Sequence, residues 1–344
     1  MKGAYGMKQR EKIKVLVVDD SLVFRELLSR GISTDPLIEV VAKAADPFEA
    51  RDKILEFHPD IMICDIQMPK MNGIEFLRRL LPQYSIPVIV VSSLCTAVFD
   101  ALHAGAVDFI PKPAGHLNHV ESFIEELIEK VKAASSAKIV SHSMQIAEKT
   151  KGLYTGNHIE LIAIGASTGG TGAIYSLLES LPPDIPGIVI VQHIPPVFSG
   201  MFAQRLNQAL PFQVKEAQTG DLIERGSVFI APGDRHLRVK KVGGSLKLEC
   251  YYGEKVGGHC PSVDVLFDSV AKEAGSRSIG IVLTGMGSDG ANGLLSMRLK
   301  GARTIGQDEK SSVVYGMPKA AYEMGAVEKQ SSLSNIPRVL SAML

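Results

Sequence analysis

Short apolar runs alternate with amphipathic segments along most of this 344-residue chain. In the first half the runs that predict buried strands are residues 15–18, 40–44, 61–64, 88–91 and 107–110, with helical patterns such as 25–30 and 47–57 between them. Strands that alternate with helices pair in parallel, because each helix returns the chain across the sheet. The alternation therefore predicts an α/β fold with a doubly wound parallel sheet, whose site lies at the carboxyl ends of the strands.

The second half repeats this alternation. Its predicted strands are residues 161–164, 188–191, 214–216, 227–231, 246–250 and 279–283, with 303–306 closing the set. We expect a second doubly wound, Rossmann-like parallel sheet, and the chain length suits two domains. Between the halves the apolar periodicity disappears and polar residues accumulate, as in a linker. The predicted organisation is a first domain at 12–134, a linker at 135–157 and a second domain at 158–344.

Composition excludes several classes of protein. Lysine plus arginine and aspartate plus glutamate each number 37, so charge gives no reason to expect nucleic acid or an anionic membrane as a partner. No apolar run reaches the roughly 18 residues of a membrane span, and the polar N-terminus lacks the apolar core of a signal peptide. The four cysteines show no C-x-x-C spacing, so no zinc site or disulfide framework is predicted. We therefore expect a cytoplasmic protein that is not embedded in a membrane.

Charged and hydroxyl residues collect at the strand ends of the first domain. Asp19 and Asp20 follow the first strand, Asp65 the third, Ser92 the fourth and Lys112 the fifth. Three carboxylates at one edge repel one another unless a cation joins them, and Mg²⁺ prefers such oxygen ligands. The lysine and the hydroxyl would then hold the oxygens of a phosphoryl group on Asp65. Helix capping explains part of the acidic cluster, but it does not explain a lysine followed by proline.

The second domain begins with an apolar run that ends in Gly-Ala-Ser-Thr-Gly, with Ser167 at its centre. This segment fits the G-x-S-x-G turn that places a nucleophilic serine between a strand and a helix. A glycine-rich turn with a capping serine also explains it. Nucleotide-binding patterns do not fit, because Thr171 stands where a Walker A loop needs lysine and Tyr175 where a dinucleotide fingerprint needs glycine.

Two further residues follow later strands of the same domain. His193 lies just past the second strand, before a Pro-Pro pair, and Asp289 lies beyond the strand at 279–283. Serine needs an imidazole to take its proton, and the imidazole needs a carboxylate to fix its tautomer. Ser167, His193 and Asp289 are therefore candidate catalytic residues. Asp289 in Gly-Ser-Asp-Gly also fits a turn aspartate. The order Ser, His, Asp differs from that of the α/β-hydrolases, so the G-x-S-x-G spacing is no sign of that family.

The first domain resembles a response-regulator receiver. The resemblance rests on DD at 19–20, CDIQMPKMNG at 64–73, SS at 92–93 and KP at 112–113. It implies that Asp65 accepts phosphate from a histidine kinase and that Asp19 and Asp20 help it to bind Mg²⁺. It also implies that Ser92 and Lys112 sense the phosphoryl group. The segment after residue 93 is several residues shorter than usual, which bears on the fourth helix and the signalling surface.

The second domain resembles the catalytic domain of the chemotaxis protein-glutamate methylesterases. The matching segments are IGASTGGTGAI, VQHIPPVFSGMFAQRLN, APGDRHL, PSVDVLFDSVA, VLTGMGSDGANG and QDEKSSVVYGMPKAA. The resemblance implies a Ser167–His193–Asp289 triad, with Thr168 and Met286 in the active-site segments and Met286 lending an amide to the oxyanion hole. It also implies deamidation of receptor glutamines. Cys260 departs from the family, which commonly has arginine at this position beside the cleft.

Together the two resemblances imply a serine hydrolase that removes methyl esters from glutamates on the cytoplasmic helices of chemoreceptors. Phosphorylation of Asp65 by the chemotaxis histidine kinase would control it, with Mg²⁺ needed for phosphorylation and no cofactor for the esterase. Two alternatives remain open on the sequence. One is a related receiver-controlled esterase whose methylated substrate lies outside chemotaxis. The other is an adaptor that binds receptors without catalysis.

Overall fold

The computed structural model describes residues 12–93, 95–113, 120–135 and 159–344. The chain divides into two compact units, Met1–Ile139 and Val140–Leu344. The predicted linker at 135–157 lies outside the described residues except for Ser135, which ends a helix. Within the described part of the chain, no helix is both long enough and apolar enough to cross a bilayer.

The first unit alternates strand and helix throughout. Its elements are β1 (Ile13–Val18), α1 (Leu22–Ile32), β2 (Ile38–Ala44), α2 (Pro47–Phe57), β3 (Ile61–Asp65), α3 (Gly73–Leu80), β4 (Val88–Ser92), α4 (Cys95–His103), β5 (Asp108–Pro111) and α5 (Val120–Ser135). The strands form one parallel sheet in the order β2-β1-β3-β4-β5. The direction of winding reverses between β1 and β3, and a crevice opens at such a point. The residues that follow β1 and those at the end of β3 therefore share one edge.

Local sequence explains where these elements begin. Apart from Ile13 at the start of β1, the apolar residues of β1, β3 and β4 are buried, as expected for strands covered by helices on both faces. Three helices start at side-chain caps: Ser21 accepts the amide of Phe24, Asp46 that of Phe48, and Asn72 that of Glu75. Each cap satisfies a backbone N–H that has no partner within the helix.

The second unit is built around a larger sheet. Its elements are β6 (Leu161–Ala166), α6 (Gly170–Glu179), β7 (Gly187–Gln192), α7 (Phe198–Ala209), β8 (Gln213–Glu216), β9 (Ser227–Ile230), β10 (His236–Val242), β11 (Ser245–Tyr251), α8 (Val263–Glu273), β12 (Ser278–Val282), α9 (Ala291–Leu299), β13 (Arg303–Gln307), α10 (Met317–Glu323), β14 (Lys329–Ser331) and α11 (Ile336–Ser341). Seven strands pair in parallel in the order β14-β13-β12-β6-β7-β9-β8. The first strand of this unit, β6, lies at the centre of the sheet, between β12 and β7.

The predicted strand at residues 246–250 does not belong to this sheet. It is part of β11, which pairs antiparallel with β10 in a separate two-stranded sheet. Gly243 and Gly244 join the two strands with φ values of 60° and 89°, a conformation that a two-residue hairpin requires. The hairpin contacts α8, where the hydroxyl of Ser269 accepts the amide of Val239 at 2.9 Å. The Gly-Gly pair was the sequence signal for this hairpin, and β10 was missed with it.

The predicted strand at 303–306 is present as β13, but it does not close the set. The short strand β14 pairs with its outer side, with Gly306 opposite Gln330. Only the third residue of β14 is buried. A three-residue polar strand has no hydrophobic periodicity, which is why the sequence pattern did not reveal it.

Candidate active site

Ser167 and His193 leave two neighbouring strands at the same level. Ala166, at the end of β6, pairs with Gln192 at the end of β7. The amide of His193 donates to the carbonyl of Ala166 at 3.0 Å, which extends the ladder by one residue. On the other side of β6, the amide of Ser167 donates to the carbonyl of Thr284, beyond β12, at 3.0 Å. The three central strands therefore deliver their following loops to one edge of the sheet.

His193 and Asp289 form a buried pair at this edge. Nε2 of His193 lies 2.8 Å from Oδ2 of Asp289, and their side chains are only 11% and 1% exposed. The alternative assignment of Asp289 to a simple turn does not account for this contact. Since the carboxylate accepts, Nε2 carries the proton and Nδ1 is left with a lone pair. Nδ1 is buried and has no hydrogen-bond partner in the described part of the chain.

The start of α8 holds the carboxylate of Asp289. Oδ1 accepts the hydroxyl of Ser262 at 2.8 Å and the amide of Asp264 at 3.0 Å, and Oδ2 accepts the amide of Val263 at 2.7 Å. A helix N-terminus favours a negative charge at this position. Burial raises the pKa of Asp289, but the hydrogen bond and charge of His193 and the amides of α8 outweigh it. The net pKa is lowered to about 2. Asp289 is therefore ionised at neutral pH.

The turn around Ser167 is closely packed against the loop after β12. A Cβ atom on Gly285 would lie 2.7 Å from Cβ of Ser167, so only glycine allows this approach. Thr168 is buried, and its carbonyl accepts the hydroxyl of Thr284 at 3.0 Å. The neighbouring backbone N–H of Met286 donates to no acceptor among the described residues. The structure thus brings both predicted neighbours, Thr168 and Met286, to segments that adjoin Ser167.

The side chain of Ser167 makes no hydrogen bond to His193 within the described residues. Ser167 and His193 nevertheless follow the neighbouring strands β6 and β7. Catalytic hydrogen bonds are often long or poorly aligned until substrate binds. Rotation of a serine side chain between rotamers moves its hydroxyl without any change in the backbone. In this structure the His193–Asp289 hydrogen bond of the site is therefore formed, and Ser167 lies beside it without a hydrogen bond to His193.

Gln192 links the nucleophile turn to the loop of the base. Its buried Nε2 donates to the carbonyl of Ser167 at 2.9 Å and to that of His193 at 3.0 Å. Its Oε1 lies over Gly170, where a Cβ atom would come within 2.1 Å of it. One carboxamide therefore holds two catalytic segments together. The sequence places Gln192 directly before His193, but that position gives no sign of this role.

His259 was also missed. Its ring stacks on that of His193, with centroids 3.8 Å apart and planes inclined by 9°. It directly precedes Cys260, whose Sγ contacts the carbonyl of Asp234 at 3.6 Å. In the sequence this segment is notable for Cys260 and for the start of the family match at PSVD. Its histidine and serine are the residues that contact His193 and Asp289.

A second polar cluster lies in the first unit. Asp19, Asp20 and Asp65 each place a carboxylate oxygen within 4.8 Å of the others. Nζ of Lys112 lies 2.8 Å from both Asp19 and Asp65. Ser92 is buried at the end of β4, next to the end of β3. The structure therefore brings the five residues predicted from the sequence to one edge of the sheet.

The charges of this cluster suit a divalent cation. Burial raises the pKa of Asp65 above its ordinary value, although Lys112 opposes the shift. Burial lowers the pKa of Lys112, but its hydrogen bonds to Asp19 and Asp65 outweigh this, and the net pKa is raised. One lysine thus faces three carboxylates. Hard oxygen donors with this excess of negative charge fit Mg²⁺.

Residues 162–340 match the family of CheB methylesterases, and residues 15–125 match the response regulator receiver domain. The chain belongs to the CheB methylesterase family. A protein-glutamate methylesterase/protein-glutamine glutaminase of Syntrophomonas wolfei is 56% identical over 338 residues, which cover 97% of this chain and 98% of the relative. A relative with the same name from Syntrophotalea carbinolica is 48% identical, with 97% and 98% covered.

A solved structure supports the assignment of the second unit. The CheB methylesterase catalytic domain of Thermotoga maritima aligns with a TM-score of 0.53 at 35% identity, covering 54% of this chain and 98% of that domain. These matches confirm the receiver and methylesterase resemblances drawn from the sequence, the α/β fold of both domains and the hydrolase function that the resemblances imply.

Proposed function

We propose that Ser167, His193 and Asp289 are the triad with which this methylesterase hydrolyses glutamate methyl esters on chemoreceptors. The observation that carries the proposal is the buried His193–Asp289 pair beside the Ser167 turn. The ionised carboxylate keeps the ring proton on Nε2 and stabilises the imidazolium that forms during catalysis. Nδ1 is then the basic nitrogen.

The first half of the reaction forms an acyl-enzyme. As Oγ of Ser167 attacks the ester carbonyl, its proton passes to Nδ1 of His193. The free amide of Met286 donates to the oxyanion, which is where a preorganised donor has its largest effect. The tetrahedral adduct then expels methanol, which takes the proton from Nδ1. The glutamyl group stays bound to Ser167 as an ester.

The second half releases the product. Water attacks the acyl-enzyme and gives its proton to Nδ1, and the proton returns to Oγ as the glutamate side chain leaves. The same steps deamidate a receptor glutamine, because ammonia can leave in place of methanol once Nδ1 has protonated it. No step needs a metal or cofactor. Because the proposed substrates lie on the cytoplasmic helices of receptors, we expect the enzyme to act in the cytoplasm.

Asp65 is the proposed phosphorylation site. Asp19, Asp20 and Asp65 would hold Mg²⁺, and the ion would offset the negative charge of a phosphoryl group donated by the chemotaxis histidine kinase. Lys112, already bonded to Asp65, remains to pair with the phosphoryl oxygens. Ser92 lies at the end of the adjacent strand, where its hydroxyl can sense the same group.

Phosphorylation of Asp65 is proposed to raise the esterase activity, which the unphosphorylated receiver keeps low. An activation of ~10-fold needs a difference of only ~1.4 kcal/mol between the low-activity and the high-activity states. The fragment from residue 147 onward is then expected to be faster than the unphosphorylated full chain. If the fragment is no faster on the same methylated receptor, the receiver acts in another way.

Methanol release from methylated receptor tests the triad. Ser167→Ala should lose activity by on the order of 10⁶-fold, because the triad acts as a unit. Ser180→Ala is the matched control, since Ser180 lies at the other end of α6 and its hydroxyl donates to the carbonyl of Ser176 in that helix. More than a few per cent of wild-type activity in pure Ser167→Ala protein, with an unchanged far-ultraviolet spectrum, would exclude Ser167 as the nucleophile.

A further inference from the structure

His259 covers one face of the proposed base. Its ring is nearly parallel to that of His193, with 3.8 Å between the centroids. Both nitrogens of His193 lie on the ring edge, so a neighbour on the face does not compete with Asp289 or with Ser167. The stack therefore adds a constraint of a different kind. Asp289 fixes one edge of the imidazole, and His259 opposes tilting of its plane.

The segment that carries His259 is itself held in place by a buried histidine. Nε2 of His236 lies 2.8 Å from the carbonyl of Glu254, and its Nδ1 accepts the amide of Ser262 at 3.3 Å. Between these points, reciprocal backbone hydrogen bonds of 3.0 Å join Val256 and His259. Because both ends and the tip of the loop are bonded, the ring of His259 has a fixed support.

The same segment also supports Asp289. Just after His259, the hydroxyl of Ser262 and the amide of Val263 donate to the carboxylate. Residues 259–263 therefore contact both members of the His193–Asp289 pair. A loop that served only to connect β11 with α8 would not need to meet both of them.

We propose that His259 is a positioning residue that holds the plane of the His193 imidazole and stabilises its protonated form through the ring face. This inference rests on the proposed role of His193 as the base. A cation close to the face of a neutral aromatic ring is attracted to it. Burial and the neighbouring His193 lower the pKa of His259 to about 4, so the ring of His259 is neutral near pH 7.

Two variants with side chains of similar size distinguish the effect of the aromatic ring face from the effect of filling the same volume. His259→Phe keeps a flat aromatic face without ring nitrogens, and His259→Leu fills the space without such a face. In full-length protein we expect Phe to keep kcat within about threefold and Leu to lower it by roughly tenfold or more, with KM little changed in either. Glu254→Ala, an exposed change in the same loop, is the matched control and should match the wild type.

A spectroscopic readout is independent of turnover. The Nε2 proton of His193, hydrogen-bonded to Asp289, should give a protected NMR resonance in the wild type and in His259→Phe. It should exchange faster in His259→Leu. Equal kcat and equal protection in Phe and Leu variants, whether both high or both low, overturn the inference. If His193→Ala keeps wild-type activity, the proposed triad fails instead, and the two failures are thus distinguishable.

Discussion

Nε2 of His193 lies 2.8 Å from the carboxylate of Asp289, so the nitrogen left to accept a proton from Ser167 is Nδ1. The carboxylate is held in turn by the hydroxyl of Ser262 and two amides at the start of α8. The N-terminus of α8 thus holds Asp289, Asp289 orients His193, and His193 is the base for Ser167.

Asp289→Asn should lower methyl-ester hydrolysis by about 10⁴-fold, because an amide in place of the carboxylate favours the wrong tautomer of His193. It should also destabilise the protein, since the amide nitrogen of asparagine cannot accept the backbone N–H groups of α8. Asp264→Asn is the matched control: Asp264 lies on the same helix and bonds the amide of Gly293, with no side-chain contact to His193. If Asp289→Asn lowers the activity by less than tenfold, Asp289 is not the acid that orients His193.

Gln192→Glu should lower kcat by roughly 10- to 100-fold, because an oxygen replaces the nitrogen that donates to the carbonyls of Ser167 and His193. KM should change little, since Gln192 is buried beneath the site. Gln208→Glu, an exposed change of the same type on α7, is expected to have no effect on either constant. A rise in KM with unchanged kcat would mean that Gln192 contributes to substrate binding instead.

His259 should make the fold of the second unit sensitive to acid. Its pKa is lowered from 6.5 to about 4 by burial and by His193, with Asp289 opposing and Lys255 adding to the shift. Between these values the unfolded chain binds a proton that the folded chain does not, so stability falls as the pH is lowered from about 6.5 to about 4. His259→Phe should remove this loss, about 2 kcal/mol after allowance for solvent screening.

Urea titrations of wild type and His259→Phe at pH 7 and pH 4.5 measure this loss of stability. Unfolding is monitored by the NMR resonances of backbone amides in β6 and β7. His193, Asp289 and Lys255 are present in both proteins, so the two proteins differ only at residue 259. The free energy of unfolding of the wild type should fall further than that of the variant. Parallel falls in both proteins would show that His259 is protonated in the folded state.

Asp65→Asn should abolish incorporation of phosphate from a small phosphodonor, and the full-length variant should stay at its basal esterase rate. Removal of Mg²⁺ by a chelator should have the same effect on phosphate incorporation in the wild type. Asp60→Asn serves as the control, because Asp60 lies before β3 and accepts only the amide of Lys14 among the described contacts. Phosphate on the Asp65→Asn protein would assign the acceptor to a different carboxylate.

Much of this arrangement follows from the sequence. Buried apolar runs such as those of β6 and β7 identify their own strands, and parallel pairing brings the residues that follow them to one edge. With the G-x-S-x-G turn and the need of serine for a base and a carboxylate, this made Ser167, His193 and Asp289 candidate catalytic residues. The family resemblance added Thr168 and Met286 to the candidate residues, and both lie in segments that adjoin Ser167.

Other features depend on contacts that no local pattern records. Gln192 and His259 act through side-chain partners in distant segments, and a lone glutamine or histidine is usually an ordinary residue. β14 is too short and too polar for a periodic signal, and β10 was missed because the Gly-Gly turn beside it was not recognised. Tertiary packing supplies this information, so the structure was needed to find it.

The identity of the nucleophile is tested most directly by covalent labelling with a serine-directed phosphonofluoridate, followed by mass spectrometry of the digested protein. We expect a single adduct on the peptide that contains Ser167, formed rapidly in the wild type and in Ser180→Ala. Labelling should be nearly absent in His193→Ala, because Oγ then has no base to take its proton. Stoichiometric labelling at another residue, or undiminished labelling of Ser167 without His193, would contradict the triad.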